Sequence, residues 1–246
     1  MHGAKRSPFA RRPTRFIAPL LVAASALASG PLLAGPGPAA VKGKISGLDR
    51  LFPAVYADAA KPDSHRYTWR EPSPTVKQEF RKLTAVGSRD VCIAAFAGAA
   101  ASAHDSQRAF VTGGRIDPAT IVLSPGSKLS FKNADPFPHS LYEVGNAAWA
   151  ANPTAPGSSR DWSSMAPGQH VIRDRLFPSV AMYIVIDANA VEATYPDREG
   201  NFSMSLPAGD YTLKAFFEGK AVGKPVDGVH MGERDVDLKD PLSVGG

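Results

Sequence analysis

The chain carries a single cysteine, Cys92, among 246 residues. One thiol closes no internal disulfide, so the fold must be held by packing. Other absences narrow the chemistry. There is no Gly-x-Ser-x-Gly elbow for a nucleophilic serine and no His-Glu-x-x-His helix for a zinc hydrolase. No glycine-rich phosphate loop or internal repeat stands out. The carboxylates are scattered, and Asp197 and Asp210 fall at turns, where aspartate bonds local backbone. The sequence does not read as an enzyme.

Charge of one sign is concentrated only at the N-terminus. Lys5, Arg6, Arg11, Arg12 and Arg15 precede an apolar run from Phe16 to Ala34, which ends in small residues. This layout predicts a secretory leader over 1–34 and a periplasmic or secreted protein, touching a membrane only through the leader if it is not cleaved. Without those five residues, the 28 basic residues become 23 and match the 23 acidic ones. The basic character therefore belongs to the leader and gives no support for a nucleic-acid partner.

What remains is a β pattern. A Pro/Gly/Ala linker (35–40) leads to a short alternating strand, Val41–Ser46. A block rich in proline and polar residues (48–89) reads as a partly irregular insertion. Strands are then expected at Val91–Phe96, Gln107–Thr112, Ile121–Leu123, Lys128–Lys132, His170–Arg175 and Val180–Asp187. Asn146–Gln169 is a long stretch rich in Ala, Ser, Pro and Gly, with no strand assigned to it. Phe202, Met204 and Leu206, then Tyr211, Leu213, Ala215 and Phe217, alternate on either side of Pro207-Ala208-Gly209-Asp210, which predicts a hairpin over 201–218 within a C-terminal extension (197–246). Short strands with frequent turns argue an all-β Greek-key sandwich spanning 41–246.

Three segments carry a resemblance. Pro125-Gly126 with Leu129, Phe131, Asn133, Asp135 and His139 forms a strand-turn-strand and an Asn-x-Asp-x-x-x-His loop. Tyr183-Ile184-Val185-Ile186-Asp187 is a later strand. Asp197-x-x-Gly200-x-Phe202 with Leu206-Pro207-Ala208-Gly209-x-Tyr211-x-Leu213 is the third. Together they resemble exported cupredoxin-like proteins of the methylamine-utilisation or plastocyanin-like type. The third segment also resembles carboxypeptidase-regulatory-like modules. The resemblance implies a copper site in which His139 is the first ligand and a Cys-x-x-His-x-x-Met stretch supplies the rest. Here the positions for Cys, His and Met hold Asp174, Phe177 and Val180, so the thiolate that a type 1 site requires is missing.

The expectation is a copper-free module that binds an unidentified envelope protein or ligand, with a partner surface of His139, Phe137, Tyr142 and Phe177. On that reading His139→Ala leaves folding nearly intact. Two alternatives stay open. One is a remodelled copper or electron-transfer site using His139 with His104, His170 or Cys92. The other is a carbohydrate- or surface-associated accessory module. Cys92 itself reads as a small buried apolar residue, and Trp149 and Trp162 as core aromatics.

Overall fold

The computed structural model describes residues 39–51, 87–103, 106–177 and 180–244. The expected leader, most of the linker, most of the insertion and His104 lie outside the described residues. No helix among the described residues is long and apolar enough to cross a membrane.

The chain is all-β. Strands β1 (Ala39–Ser46) and β2 (Val91–Ala97) come first. Next are β3 (Gln107–Thr112), β4 (Arg115–Asp117), β5 (Thr120–Leu123), β6 (Lys128–Asn133) and β7 (His139–Glu143). They are followed by β8 (Asn152–Thr154), β9 (Ser159–Ser163), β10 (Gly168–Asp174) and β11 (Ala181–Ile186). The chain closes with β12 (Ala190–Thr194), β13 (Asn201–Leu206), β14 (Gly209–Phe217), β15 (Lys220–Met231), β16 (Val236–Asp237) and β17 (Leu242–Ser243).

These strands enclose two cores. A sheet of order β13-β1-β16, with β17 also on β1, and a sheet of order β12-β2-β14-β15 surround Val41, Ile93, Leu206, Leu213 and Met231. Sheets of order β4-β3-β6-β9 and β5-β11-β10-β7-β8 surround Leu129, Phe131, Leu141, Ile172 and Met182.

The second sandwich is inserted into the first. The chain leaves the first sandwich after β2 and returns at β12, and Phe96 and Ala190 face each other in one antiparallel ladder. The two crossings are tied together: Ala97 N–H donates to Asn189 O at 2.9 Å and Ala101 N–H to Ala188 O at 2.7 Å. Strand β2 is buried on both faces, and its period of two divides its side chains. Val91, Ile93 and Ala95 enter the first core. Cys92, Ala94 and Phe96 join Val122 and Phe216 in a cluster between the sandwiches.

The structure differs from the sequence reading in three places. Val41–Ser46 and Val91–Phe96 lie in the first sandwich, apart from the His139 core. An apolar pattern, alternating in β1 and continuous in β2, reports which side chains are buried but not which strand pairs with which. The expected hairpin over 201–218 is a crossing between sheets: β13 pairs with β1, and β14 pairs with β2 and β15. Tyr211 Oη donates to Pro207 O at 3.1 Å and pins that corner. The hairpin is instead β14–β15, turning at Glu218 and Gly219 with φ of 48° and 76°. Positive φ at both turn residues suits the twist of paired strands, but glutamate gives no such signal in a sequence. Third, Asn146–Gln169 contains β8 and β9.

Candidate functional site

Strand β7 alternates in the usual way, so His139, Leu141 and Glu143 face the second core and Tyr142 faces away. Strand β10 is antiparallel to β7 with Asp174 opposite Leu141 and Ile172 opposite Glu143. This register brings Asp174 beside His139 at one end of the sandwich.

His139 is fully buried. Its Nδ1 lies 2.6 Å from Asp174 Oδ2, and its Nε2 lies 3.0 Å from Asp135 Oδ2. Both ring nitrogens are therefore engaged by carboxylates. A ring with a proton on each nitrogen donates to both, whereas a ring with one N–H serves only one. The two carboxylates are themselves anchored. Asp174 Oδ1 accepts from Leu176 N–H at 2.7 Å and Phe177 N–H at 3.3 Å. Asp135 accepts from Gly113 N–H at 2.7 Å and Gly114 N–H at 3.3 Å. Burial opposes ionisation of Asp135, but the Gly113 amide, the His139 ring and the Gly114 amide outweigh it and hold the carboxyl below its ordinary value.

The loop before His139 is held by Asn133. Its side-chain amide donates to Phe137 O and Thr154 O, both at 2.9 Å, and its Oδ1 accepts from Asp135 N–H at 2.9 Å. The Asn-x-Asp-x-x-x-His spacing is thus a hydrogen-bonded frame for one imidazole. Phe137 and Phe177 cover that ring, with centroids 5.2 and 4.9 Å away.

A second, partly buried pair lies further along the same inward face. Glu143 Oε1 is 2.6 Å from His170 Nδ1, and Glu143 Oε2 accepts from Trp162 Nε1 and Asn146 Nδ2, both at 2.8 Å. His170 Nε2 donates to Ala166 O at 2.9 Å. Burial opposes ionisation here too, and the Trp162, His170 and Asn146 bonds hold Glu143 below its ordinary value. Glu143 had no sequence assignment. Its signal was a carboxylate on the inward parity of an otherwise apolar strand, two residues beyond Leu141.

The residues named from sequence are only partly brought together. His139, Phe137 and Phe177 cluster. His139 has no exposed surface, so it supports the loop end rather than touching a partner. Tyr142 faces the other side of the sheet. His170 belongs to the Glu143 pair. Cys92 lies at the junction of the two sandwiches, where burial pushes its thiol up to about 12. Among the described residues, no group of three His, Cys, Asp or Glu side chains is arranged to hold a metal ion. The residues present do not fit a type 1 copper centre: among the described residues no thiol lies beside His139, and the carboxylates of Asp174 and Asp135 bond its two ring nitrogens. Trp162 is buried, and Trp149 stacks under the Arg160 guanidinium at 3.8 Å, so both serve packing.

No family model matches the chain, and no curated protein is similar to it in sequence. Among solved structures the chain is similar to a mutant plastocyanin of fern, with 14% identity and a TM-score of 0.31 over 33% of this chain and 100% of that one. It is similar to a purple cupredoxin from Nitrosopumilus maritimus, with 12% identity and a TM-score of 0.29 over 32% and 98%. An amicyanin mutant in the Cu(I) state gives 12% identity and a TM-score of 0.30 over 38% and 98%. Scores of this size carry no weight for what this chain binds.

Proposed function

We propose that the chain is an exported, copper-free, cupredoxin-like binding or structural module of the cell envelope. One observation carries the reading. The carboxylate of Asp174, at the position where the resembled family has its thiolate, lies 2.6 Å from His139 Nδ1. A carboxylate bonded to the imidazole supports the reading, as does Phe177, which packs on the His139 ring where the resemblance implies a second imidazole. The basic and then apolar N-terminal segment supports export. The loop end that docks partners in the resembled family here presents Leu176, 53% exposed, beside Phe137 and Phe177.

The test is titration of the leader-free protein with Cu(II) and Cu(I). The reading requires no stoichiometric uptake and no thiolate charge-transfer band. Tight one-to-one binding by the folded protein overturns it in favour of a remodelled copper site.

A further inference from the structure

The outward face of the β5-β11-β10-β7-β8 sheet carries a groove of about 1130 Å³, bordered by Asp174 of the His139 site. Its floor follows from the strand register. Arg173 on β10 stands opposite Tyr142 on β7, and Val171 on β10 stands opposite Tyr183 on β11. Paired residues and those two apart share a face, so Tyr142, Arg173, Val171 and Tyr183 form one contiguous patch. Arg175 and Asn146 extend it at the rim.

The charge in this groove is one-sided. Among the described residues, no side chain pairs with the guanidinium of Arg173 or Arg175. The carboxylates that border the groove, Glu143 and Asp174, are turned inward and held by His170 and His139. Two cations thus stand beside two phenol rings, with no anion among the described residues answering them. A guanidinium presents a planar fork that fits a carboxylate with two parallel bonds.

The position in the sheet selects the ligand class. Strands β10 and β7 are interior to the sheet order, so their backbone groups are already in ladders. A peptide cannot add itself as a strand here, because that mode needs a free edge. Recognition must run through ring faces, amide and hydroxyl groups and the arginines. The groove is also larger than the ~300–1,000 Å³ that encloses a single small ligand. We propose that this face binds an acidic polysaccharide, a chain of sugar rings bearing carboxylates. Tyr142 and Tyr183 stack against the sugar rings, Arg173 and Arg175 take the carboxylates, and Asn146 reaches a hydroxyl. The proposal rests on the reading of the chain as a binding module but does not depend on whether copper binds.

The probe is a short oligogalacturonate, measured against the leader-free protein by calorimetry at low and physiological salt. A neutral glucan of the same length and a polyglutamate peptide serve as comparisons. The uronate oligomer should bind, and the neutral glucan should not. Arg173→Gln should weaken binding by ~10-fold or more, and Tyr142→Ala should weaken it comparably, with thermal unfolding of Arg173→Gln unchanged. Absence of uronate binding, equal binding by Arg173→Gln, or a preference for polyglutamate overturns the proposal. Copper uptake by the same preparation bears on the proposed function alone, so the two failures are distinguishable.

Discussion

Asp174 and His139 meet at 2.6 Å between Oδ2 and Nδ1, 35 residues apart in sequence and with no exposed side-chain surface on either. Asp135 holds the opposite nitrogen at 3.0 Å. An imidazole clamped on both sides by anchored carboxylates is a structural element. It fixes the loop between β6 and β7 to the end of β10.

Removal of His139 therefore destabilises the protein, contrary to the expectation from sequence that His139→Ala leaves folding nearly intact. The substitution leaves two carboxylates at the site without their cationic or donor partner. Breaking one side of a buried pair costs about 3–5 kcal/mol. Chemical denaturation of His139→Ala and Asp174→Ala should show a loss of about 3 kcal/mol or more in each. The double variant should lose much less than the sum. Strict additivity would show that the two residues do not interact.

Stability should fall with acid in a specific way. Asp135 and Glu143 are held below their ordinary values of 3.8 and 4.5 in the folded state. The unfolded chain then takes up these protons first as pH falls. Their contribution is complete above the ordinary values and is lost as pH drops through the lower folded ones. Urea midpoints measured from pH 6 to pH 3 should decline, and Asp135→Asn should flatten the decline. A profile that is level across this range contradicts the assignment.

Cys92 should be inert in the native protein. Its thiol is buried and pushed up to about 12 by burial, so little thiolate forms at pH 8. Alkylation by iodoacetamide should proceed only as fast as the chain opens and should become rapid in denaturant. Fast labelling of the folded protein would show that the junction between the sandwiches is open to solvent.

Glu218 occupies a turn position with φ of 48°. Its own bonds there are backbone bonds: its N–H donates to Thr120 Oγ1 at 3.2 Å and its O accepts from Gln169 at 3.1 Å. Glu218→Asn keeps those bonds and favours the turn geometry. Thermal unfolding should show a gain of about 0.5 kcal/mol. Gly219→Ala should destabilise, because a Cβ there meets Gln169 Nε2 at 2.5 Å and φ is +76°.

The all-β character was legible because alternating apolar residues mark β3, β6, β11, β13 and β14 directly. The loop that delivers His139 was legible from Asn133, Asp135 and the Pro125-Gly126 turn. The pairing of strands was not. The alternation of β1 and the unbroken apolar run of β2 are equally compatible with either sandwich, and only the pairings of Phe96 with Ala190 and of Val41 with Met204 decide it. The site was half legible. Asp174 stood out only through the resemblance, which implies a thiolate there, and its bond to His139 depends on the register of β7 with β10. The Glu143–His170 pair needed the same register, and sequence distance concealed it.

The central claim is that Asp174 and Asp135 occupy both ring nitrogens of His139. The most direct measurement follows the imidazole ¹⁵N resonances of His139 in the leader-free protein while one equivalent of Cu(I) is added. Both nitrogen resonances should stay in place, and they should move in Asp174→Ala, where one carboxylate is gone. A shift of either nitrogen in the unaltered protein at one equivalent of Cu(I) would contradict it.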